Sequence, residues 1–241
     1  MYRRHSKGFT LVEMMLAMAF VSVLLVAIAL TVIQIGKMYN KGVTLKEVNQ
    51  AGSTISQDMR RVVAAATPLS VEGADATDFK LMKYSDGQVA GGRFCTGSYS
   101  YIWNLGAYLN VSNPVNVYET GTKPIHLAKV VDKVKAYCND TTKNVDVEDT
   151  TEMLPDGNRE LAVHKLVVTQ IAHDSTLKQA LYRISLELGT NDRSLLEQGQ
   201  SSINSVDTSC KPPDETSDAQ DYCAVNIFEF TARAGNNEEA N

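Results

Sequence analysis

An apolar run of 20 residues, 14–33, constrains this chain most, because only Ser22 and Thr31 interrupt it. At about 1.5 Å per residue, a helix of that length spans roughly 30 Å, the thickness of the hydrocarbon core of a bilayer. A single carboxylate, Glu13, stands directly before the run. A charge at the edge of an apolar span is unfavourable in lipid and indicates a partner or a task. The sequence therefore predicts a membrane-spanning helix with a functional acidic residue at its start.

A short basic leader precedes the run and contains Arg3, Arg4 and Lys7. Positive charge before a span favours an N-terminus in the cytoplasm, although lysines also follow the span at positions 37, 41 and 46. A secretory signal peptide is one alternative, but it has a shorter apolar core with a small-residue cleavage site after it. Here the Ala-Met-Ala sequence at 17–19 falls inside the core. A plain single-span anchor is the second alternative, and it leaves the acidic residue unexplained.

Residues 7–13, Lys-Gly-Phe-Thr-Leu-Val-Glu, resemble the processing and methylation motif of type IV pilins and type II secretion pseudopilins. The resemblance covers about the first thirty residues and includes the basic leader and the apolar run. It implies that a prepilin peptidase cuts between Gly8 and Phe9 on the cytoplasmic side and that Phe9 becomes the N-methylated end. It also implies that the apolar segment stays in the mature protein. Glu13 would then be the assembly glutamate, which meets the N-terminal amine of a neighbouring subunit.

The same resemblance implies a structural subunit and not an enzyme, with no cofactor. We expect a minor pilin or pseudopilin of a type IV pilus or type II secretion-like filament, because the head is large and rich in loops. Its partners would be the prepilin peptidase, other pilin subunits, the assembly platform in the membrane and membrane lipid. The N-terminus would lie in the cytoplasm and the head outside, before the subunit enters an extracellular filament.

The motif leaves motility, DNA uptake and secretion open as the filament's task. The alternative function is a single-span membrane-anchored ectodomain that binds a partner and does not polymerise.

A second helical pattern continues beyond the span. Apolar or small residues recur at alternating steps of three and four, as on one face of a helix; they are Leu45, Val48, Gly52, Ile55, Met59, Val62 and Ala66. Pro68 ends the pattern, so a helix from Phe9 to about Ala66 would be roughly 87 Å long. A glycine at a seam position argues against a coiled coil, and we expect the stripe to pack against a sheet of the same chain.

The chain after Pro68 is expected to form one β-rich head. Alternation of apolar and polar residues predicts strands at 161–171, 181–188 and 224–230, and less clearly at 79–84, 98–103 and 125–131. The polar stretches 139–159 and 191–222 are interpreted as loops. The expected fold class is α+β, with a long N-terminal helix packed against an antiparallel β-sheet. The expected segments are a leader at 1–8, a transmembrane or filament-core half-helix at 9–33, a soluble half-helix at 34–67 and a globular head at 68–241.

Four cysteines, Cys95, Cys138, Cys210 and Cys223, all lie in the head. Outside the cytoplasm an even number of cysteines indicates disulfides, and four cysteines allow three pairings. We favour Cys210–Cys223, which resembles the C-terminal disulfide loop common in pilins, with Cys95–Cys138 as the second pair. A zinc site is the alternative, but the chain has no Cys-x-x-Cys pair and no histidine at ligand spacing, so no metal ligand is assigned.

No catalytic motif is found in the chain: it contains no nucleophile elbow, phosphate loop or His-Glu-x-x-His sequence. An acidic run could supply oxygen ligands to calcium, but its spacing is not that of an EF-hand and we expect a solvated loop; its members are Asp146, Glu148, Asp149, Glu152 and Asp156. The formal charge is −5, and losing the three positive charges of the leader takes it to −8. General nucleic-acid binding is therefore not expected, which leaves room only for a small local basic patch.

Overall fold

The computed structural model describes residues 8–73, 75–119, 123–154, 160–192, 194–197, 208–211 and 222–235. Within these ranges the chain forms one very long helix and ten strands. The fold class is α+β, as predicted. Residues 1–7 of the expected leader 1–8, and Asp156 of the acidic run, lie outside the described residues.

The long helix, α1, runs over Leu11–Ala64 and is about 81 Å long. It begins two residues later and ends two residues earlier than the pattern predicts. Its end is tied to the last strand, because the Gly235 amide donates to the Ala66 carbonyl at 2.8 Å. The Tyr182 hydroxyl then holds the chain beyond the helix, accepting from the Leu69 amide at 2.6 Å and donating to the Leu69 carbonyl at 2.9 Å.

Six of the seven predicted stripe residues, from Val48 to Ala66, are buried, and the prediction is wrong for the seventh. Leu45 is 45% exposed, while Thr44 is fully buried in its place. The Thr44 hydroxyl donates to the Asn40 carbonyl at 3.0 Å, so its polar group is satisfied inside the helix and can be covered without loss.

A five-stranded antiparallel sheet forms one part of the head, with its strands in chain order. The strands are β1 (Phe79–Lys83), β2 (Val89–Cys95), β3 (Tyr99–Asn104), β4 (Leu127–Val131) and β5 (Thr150–Glu152). Sequence reasoning missed β2, whose Val-Ala-Gly-Gly start has no alternation. Its glycines are needed for packing, since a Cβ at Gly92 would lie 2.5 Å from the Trp103 ring. β5 lies within the stretch predicted as a loop, because three polar residues carry no strand pattern and are ordered by pairing with β4.

A three-stranded antiparallel sheet forms the other part, in the order β10-β7-β6. Its strands are β6 (Leu161–Asp174), β7 (Gln179–Thr190) and β10 (Val225–Ala234). The predicted strands at 161–171, 181–188 and 224–230 correspond to these three. Two short strands, β8 (Leu196–Glu197) and β9 (Ser209–Cys210), pair inside the predicted loop 191–222. The segment at 208–211 covers Glu187, whose carboxylate accepts from the Thr208 amide at 2.6 Å.

The core joins all three layers. Helix α1 packs on β10 and β7, and its buried side chains continue into an aromatic cluster on one face of the five-stranded sheet. The stripe therefore packs on a sheet of the same chain, as predicted. A second, smaller core lies between the other face of the five-stranded sheet and α2 (Ala136–Asn139).

Two disulfides close the head. Cys95–Cys138 joins β2 to α2 with a Cα–Cα distance of 6.2 Å, and Cys210–Cys223 joins β9 to the approach to β10 at 5.9 Å. These are the two pairs that the sequence analysis favours.

Candidate functional site at the start of the long helix

The first turn of α1 is closed by a reciprocal pair of hydrogen bonds between Thr10 and Glu13. The Thr10 hydroxyl accepts from the Glu13 amide at 3.3 Å, and a carboxylate oxygen of Glu13 accepts from the Thr10 amide and from the Thr10 hydroxyl, each at 2.9 Å. This is a capping box, which satisfies amides that a helix start leaves unpaired. Glu13 is thus the acceptor that closes its own helix.

Sequence reasoning assigned Glu13 a role but missed Thr10. The signal was present, because threonine followed three residues later by glutamate before an apolar run marks a helix start. Thr10 itself is extended (φ −76°, ψ 151°), so Gly8 and Phe9 lie outside the helix. Among the described residues, no atom beyond its chain neighbours comes within 4 Å of a Cβ built on Gly8.

The first half of α1 carries an apolar surface that no described residue of the head covers. Every described residue from 8 to 36 is exposed, including Phe9 at 82% and Leu11 at 76%. By length and composition α1 is the one helix among the described residues that is fit to cross a membrane. An apolar surface of this size in water would be strongly unfavourable, so lipid or other helices must cover it.

The two polar residues inside the span are satisfied within the helix. The Ser22 hydroxyl donates to the Met18 carbonyl at 2.8 Å, and the Thr31 hydroxyl donates to the Ala27 carbonyl at 2.9 Å. In hydrocarbon an unsatisfied polar group is strongly unfavourable. Neither hydroxyl therefore prevents the span from lying in lipid.

Among the described residues, side-chain hydrogen bonds join the head to the helix from about residue 40 onward. The side-chain amide of Asn40 donates to the Tyr222 hydroxyl at 3.1 Å, and the side-chain amide of Asn226 donates to the side-chain oxygen of Asn49 at 2.7 Å. The described residues 11–36 are all exposed, so this part of the helix projects from the described part of the head by about 39 Å. It includes the whole apolar run and three further residues, 34–36.

Asp58 fixes the helix to the five-stranded sheet. Its carboxylate accepts from Lys129 on β4 at 2.8 Å, from the Tyr101 hydroxyl on β3 at 2.8 Å and from Arg61 at 2.9 Å. Burial raises the pKa of Asp58, but the hydrogen bonds from Lys129 and Tyr101 outweigh it and the net pKa is lowered. The carboxylate is thus held ionised. It fixes helix α1 (Leu11–Ala64), which we call the rod, at a defined angle to the head.

Arg93 is a buried cation that sequence reasoning did not single out. Its guanidinium donates to the Asn116 side chain at 3.0 Å and to three carbonyls, those of Tyr137, Asp140 and Lys143, at 2.8–3.0 Å. Burial lowers its pKa to about 10, so it stays charged near neutral pH. Its strand, β2, has no sequence pattern, so sequence alone offered no signal that this arginine is buried. It orders the chain around α2 and has no chemical role visible in the structure.

The histidines and the acidic run do not form a reactive cluster in the part of the chain that the structure describes. His126 Nδ1 lies 2.9 Å from the Leu161 carbonyl, and His164 Nε2 lies 3.1 Å from the Thr190 carbonyl. Glu152 accepts from the Tyr118 hydroxyl and from the Leu127 amide, both at 2.7 Å. Across these described ranges, no three His, Cys, Asp or Glu side chains come together as metal ligands.

Comparison with known proteins yields one finding, and it falls on this segment. A family model described as the prokaryotic N-terminal methylation motif matches residues 3–33. No curated protein and no solved structure matches the chain. With this motif at its N-terminus and a long exposed apolar helix behind it, the chain is consistent with a type IV pilin-like protein.

Proposed function

We propose that the chain is the precursor of a structural subunit, a minor pilin or pseudopilin, that polymerises through its N-terminal helix into a type IV pilus or type II secretion-like filament. One observation carries the proposal: a helix that projects about 39 Å from the described part of the head, exposed and apolar, with a single carboxylate in its first turn. The matched methylation motif supports a pilin-like precursor.

In this proposal the prepilin peptidase cuts between Gly8 and Phe9, and Phe9 is then N-methylated. Cleavage places an ammonium on Phe9, directly beside the Thr10 amide that Glu13 already binds. The amide of Thr10 survives cleavage, so the capping box can persist in the mature subunit. Support comes from the positions of Gly8 and Phe9, which are exposed and lie outside the helix.

The assembly step pairs Glu13 of one subunit with the Phe9 ammonium of another. Opposite charges attract far more strongly in a low-dielectric layer than in water, so such a pair would set the axial register of the packed helices. The apolar faces of the rods then cover one another as they leave the lipid. A head-to-tail contact of this kind continues without closure and produces an open filament.

The remaining partners follow from the membrane location of the subunit before assembly. In this proposal it spans the cytoplasmic membrane with its N-terminus in the cytoplasm and its head outside. There it contacts lipid, the assembly platform and other pilin subunits. The large head, with two sheets and two disulfides, favours a minor pilin or pseudopilin over a compact major one.

Processing is tested by N-terminal sequencing and intact mass of the protein purified from membranes or filaments. We expect the mature chain to begin at methylated Phe9. A start beyond residue 33 would show that the helix is removed and would overturn the proposal. An unprocessed chain that is never recovered in filaments would favour the anchored ectodomain.

Assembly is tested with Glu13→Gln, which keeps the shape of the side chain and its ability to accept from Thr10 but removes the charge. We expect recovery in sheared filaments to fall by about tenfold or more, since a charge pair in low dielectric is lost, while the amount in membranes stays similar. Glu47→Gln is the matched control, because Glu47 is exposed on the same helix beyond the span. Equal recovery of the Glu13 variant and wild type would remove the assembly role from that carboxylate.

A further inference from the structure

The five-stranded sheet ends in two open edges. β1 pairs only with β2, and β5 pairs only with β4, among the strands that the structure describes. An open edge presents unpaired amides and carbonyls that can accept another strand. The sheet therefore offers two places where a strand of a second molecule could add.

A groove runs along the β1 edge. It has a volume of about 590 Å³ and is lined on one side by the four consecutive residues 80–83 and on the other by Cys138, Asn139 and Thr141. Side chains alternate between the two faces of a strand, so a groove touched by four consecutive residues faces the edge and not one face. The groove is bordered by Lys80 and Lys83, and neither forms an ion pair with any described residue.

The β5 edge has the opposite charge. Glu148 and Asp149 directly precede β5 and are exposed, and neither is paired with a cation among the described residues. Lysines on an edge commonly keep edges of separate molecules apart. Here the basic side chains border one edge and the acidic side chains the other, so the two edges carry complementary charge.

We propose that the β1 edge of one molecule binds the β5 edge of a second copy of this chain, with Lys80 and Lys83 against Glu148 and Asp149. Four antiparallel steps separate β1 from β5, so the two strands run in the same direction. Two copies whose rods point the same way and whose sheets lie side by side would therefore join these edges as parallel strands. The contact is heterologous and repeats without closure, as a filament requires, and in this respect it rests on the proposed function.

The test uses the full chain in membranes and in sheared filaments, as an equal mixture of unlabelled and ¹⁵N-labelled protein. A zero-length carbodiimide crosslinker joins lysine amines only to carboxylates in contact with them. We expect mixed-isotope peptides that link Lys80 or Lys83 to Glu148 or Asp149. Absence of these links in both membranes and filaments would overturn the contact.

Charge reversal makes the test specific. Lys80→Glu with Lys83→Glu, and Glu148→Lys with Asp149→Lys, should each lower recovery in sheared filaments by about tenfold, because each leaves like charges on the two edges of identical subunits. Co-expressing the two double variants should restore the recovery of both, because the acidic β5 edge of the first then meets the basic β1 edge of the second. Lys178→Glu with Arg183→Glu makes the same charge change as the β1 variant on two exposed residues, one in the β6–β7 turn and one on β7, and should leave recovery and the edge links unchanged.

The outcomes separate this contact from the proposed function. Normal recovery of the β1 and β5 variants in filaments, together with an absence of edge links in wild-type filaments, would overturn the contact and leave polymerisation through the helix standing. Links from Lys80 to a different protein, with none to Glu148 or Asp149, would overturn a second copy as the occupant. If the Glu13 variant is not recovered in filaments but still forms edge links in membranes, that result supports the assembly role of Glu13 and the edge contact as two independent steps.

Discussion

Among single residues, Gly52 sets how closely the long helix approaches the three-stranded sheet. A Cβ built there would lie 2.1 Å from the Phe228 ring, whereas a Cβ at Gly42 would meet nothing within 4 Å. The sequence pattern placed Gly52 in the buried stripe, but only the sheet position explains why no larger residue stands there.

We expect Gly52→Leu to lower the free energy of unfolding of the head by about 2–3 kcal/mol, because the larger side chain must displace Phe228 from its contact. Urea unfolding measures the change. Gly42→Leu is the matched control on the same helix and should not lower stability, since leucine is a better helix former in open space. A similar loss of unfolding free energy in both variants would show that the loss does not come from the contact with Phe228.

His164 is a second residue whose surroundings decide its chemistry. It is half-buried beside the Thr190 carbonyl, and burial lowers its pKa from 6.5 to about 4. The folded form therefore keeps His164 neutral where the unfolded chain would protonate it. Its contribution to stability is complete above about pH 6.5 and is lost as the pH falls towards 4.

Between pH 7 and pH 4 the wild type should lose about 2–3 kcal/mol more unfolding free energy than His164→Gln, which cannot be protonated but can still donate to Thr190. Urea unfolding at both pH values, compared between the two proteins, isolates this group from the carboxylates. Equal pH dependence in the two proteins would mean that His164 is protonated freely in the fold.

Among the elements, helix α1 and the five-stranded sheet are joined through one carboxylate. Asp58 bonds to Lys129 with both side chains largely buried, and to Arg61, which is 79% exposed. Lys129 also lies 4.2 Å from the Tyr99 ring centroid. Exposed ion pairs contribute little, whereas removing one partner of a buried pair leaves the other charge unsatisfied.

A double-mutant cycle of Asp58→Asn and Lys129→Met should give a coupling energy of about 1–2 kcal/mol. The same cycle with Arg61→Met should give less than about 0.5 kcal/mol, because solvent screens that pair. Thermal or urea unfolding of the four proteins in each cycle provides the numbers. Equal coupling in the two cycles would show that burial of the Lys129 pair has no energetic weight.

For the whole molecule, the head and the free half of the rod are energetically separate. The core draws its helical side chains from Thr44 onward, and none comes from residues 11–36. Association of the rods therefore need not disturb the head.

A chain that lacks residues 1–33 should therefore unfold at a temperature within about 2–3 °C of the full-length protein in detergent, since every described residue in this range, 8–33, is exposed. Differential scanning calorimetry of both proteins tests this. A large drop in the melting temperature of the shortened chain would place part of the head's stability in the rod, contrary to the exposure of residues 8–36.

Much of the helix could be derived from sequence, and little of the sheet order. Spacing of the stripe to Ala66 and the stop before Pro68 are local signals, so the helix bounds were predicted to within two residues. β2 and β5 have no such signal, because glycine pairs and three polar residues become strands only through their neighbours. Thr10 could have been found from the capping pattern, whereas Arg93 needed the loop that folds around it.

The sequence by itself determined the apolar rod, its length and the acidic residue at its free end, because chain geometry and transfer from water to lipid act on consecutive residues. Only the tertiary structure decided that Thr44 and not Leu45 enters the core, that Asp58 holds the sheet, and that a basic and an acidic edge lie at opposite ends of one sheet. Those features depend on contacts between residues far apart in the chain, and no local pattern encodes them.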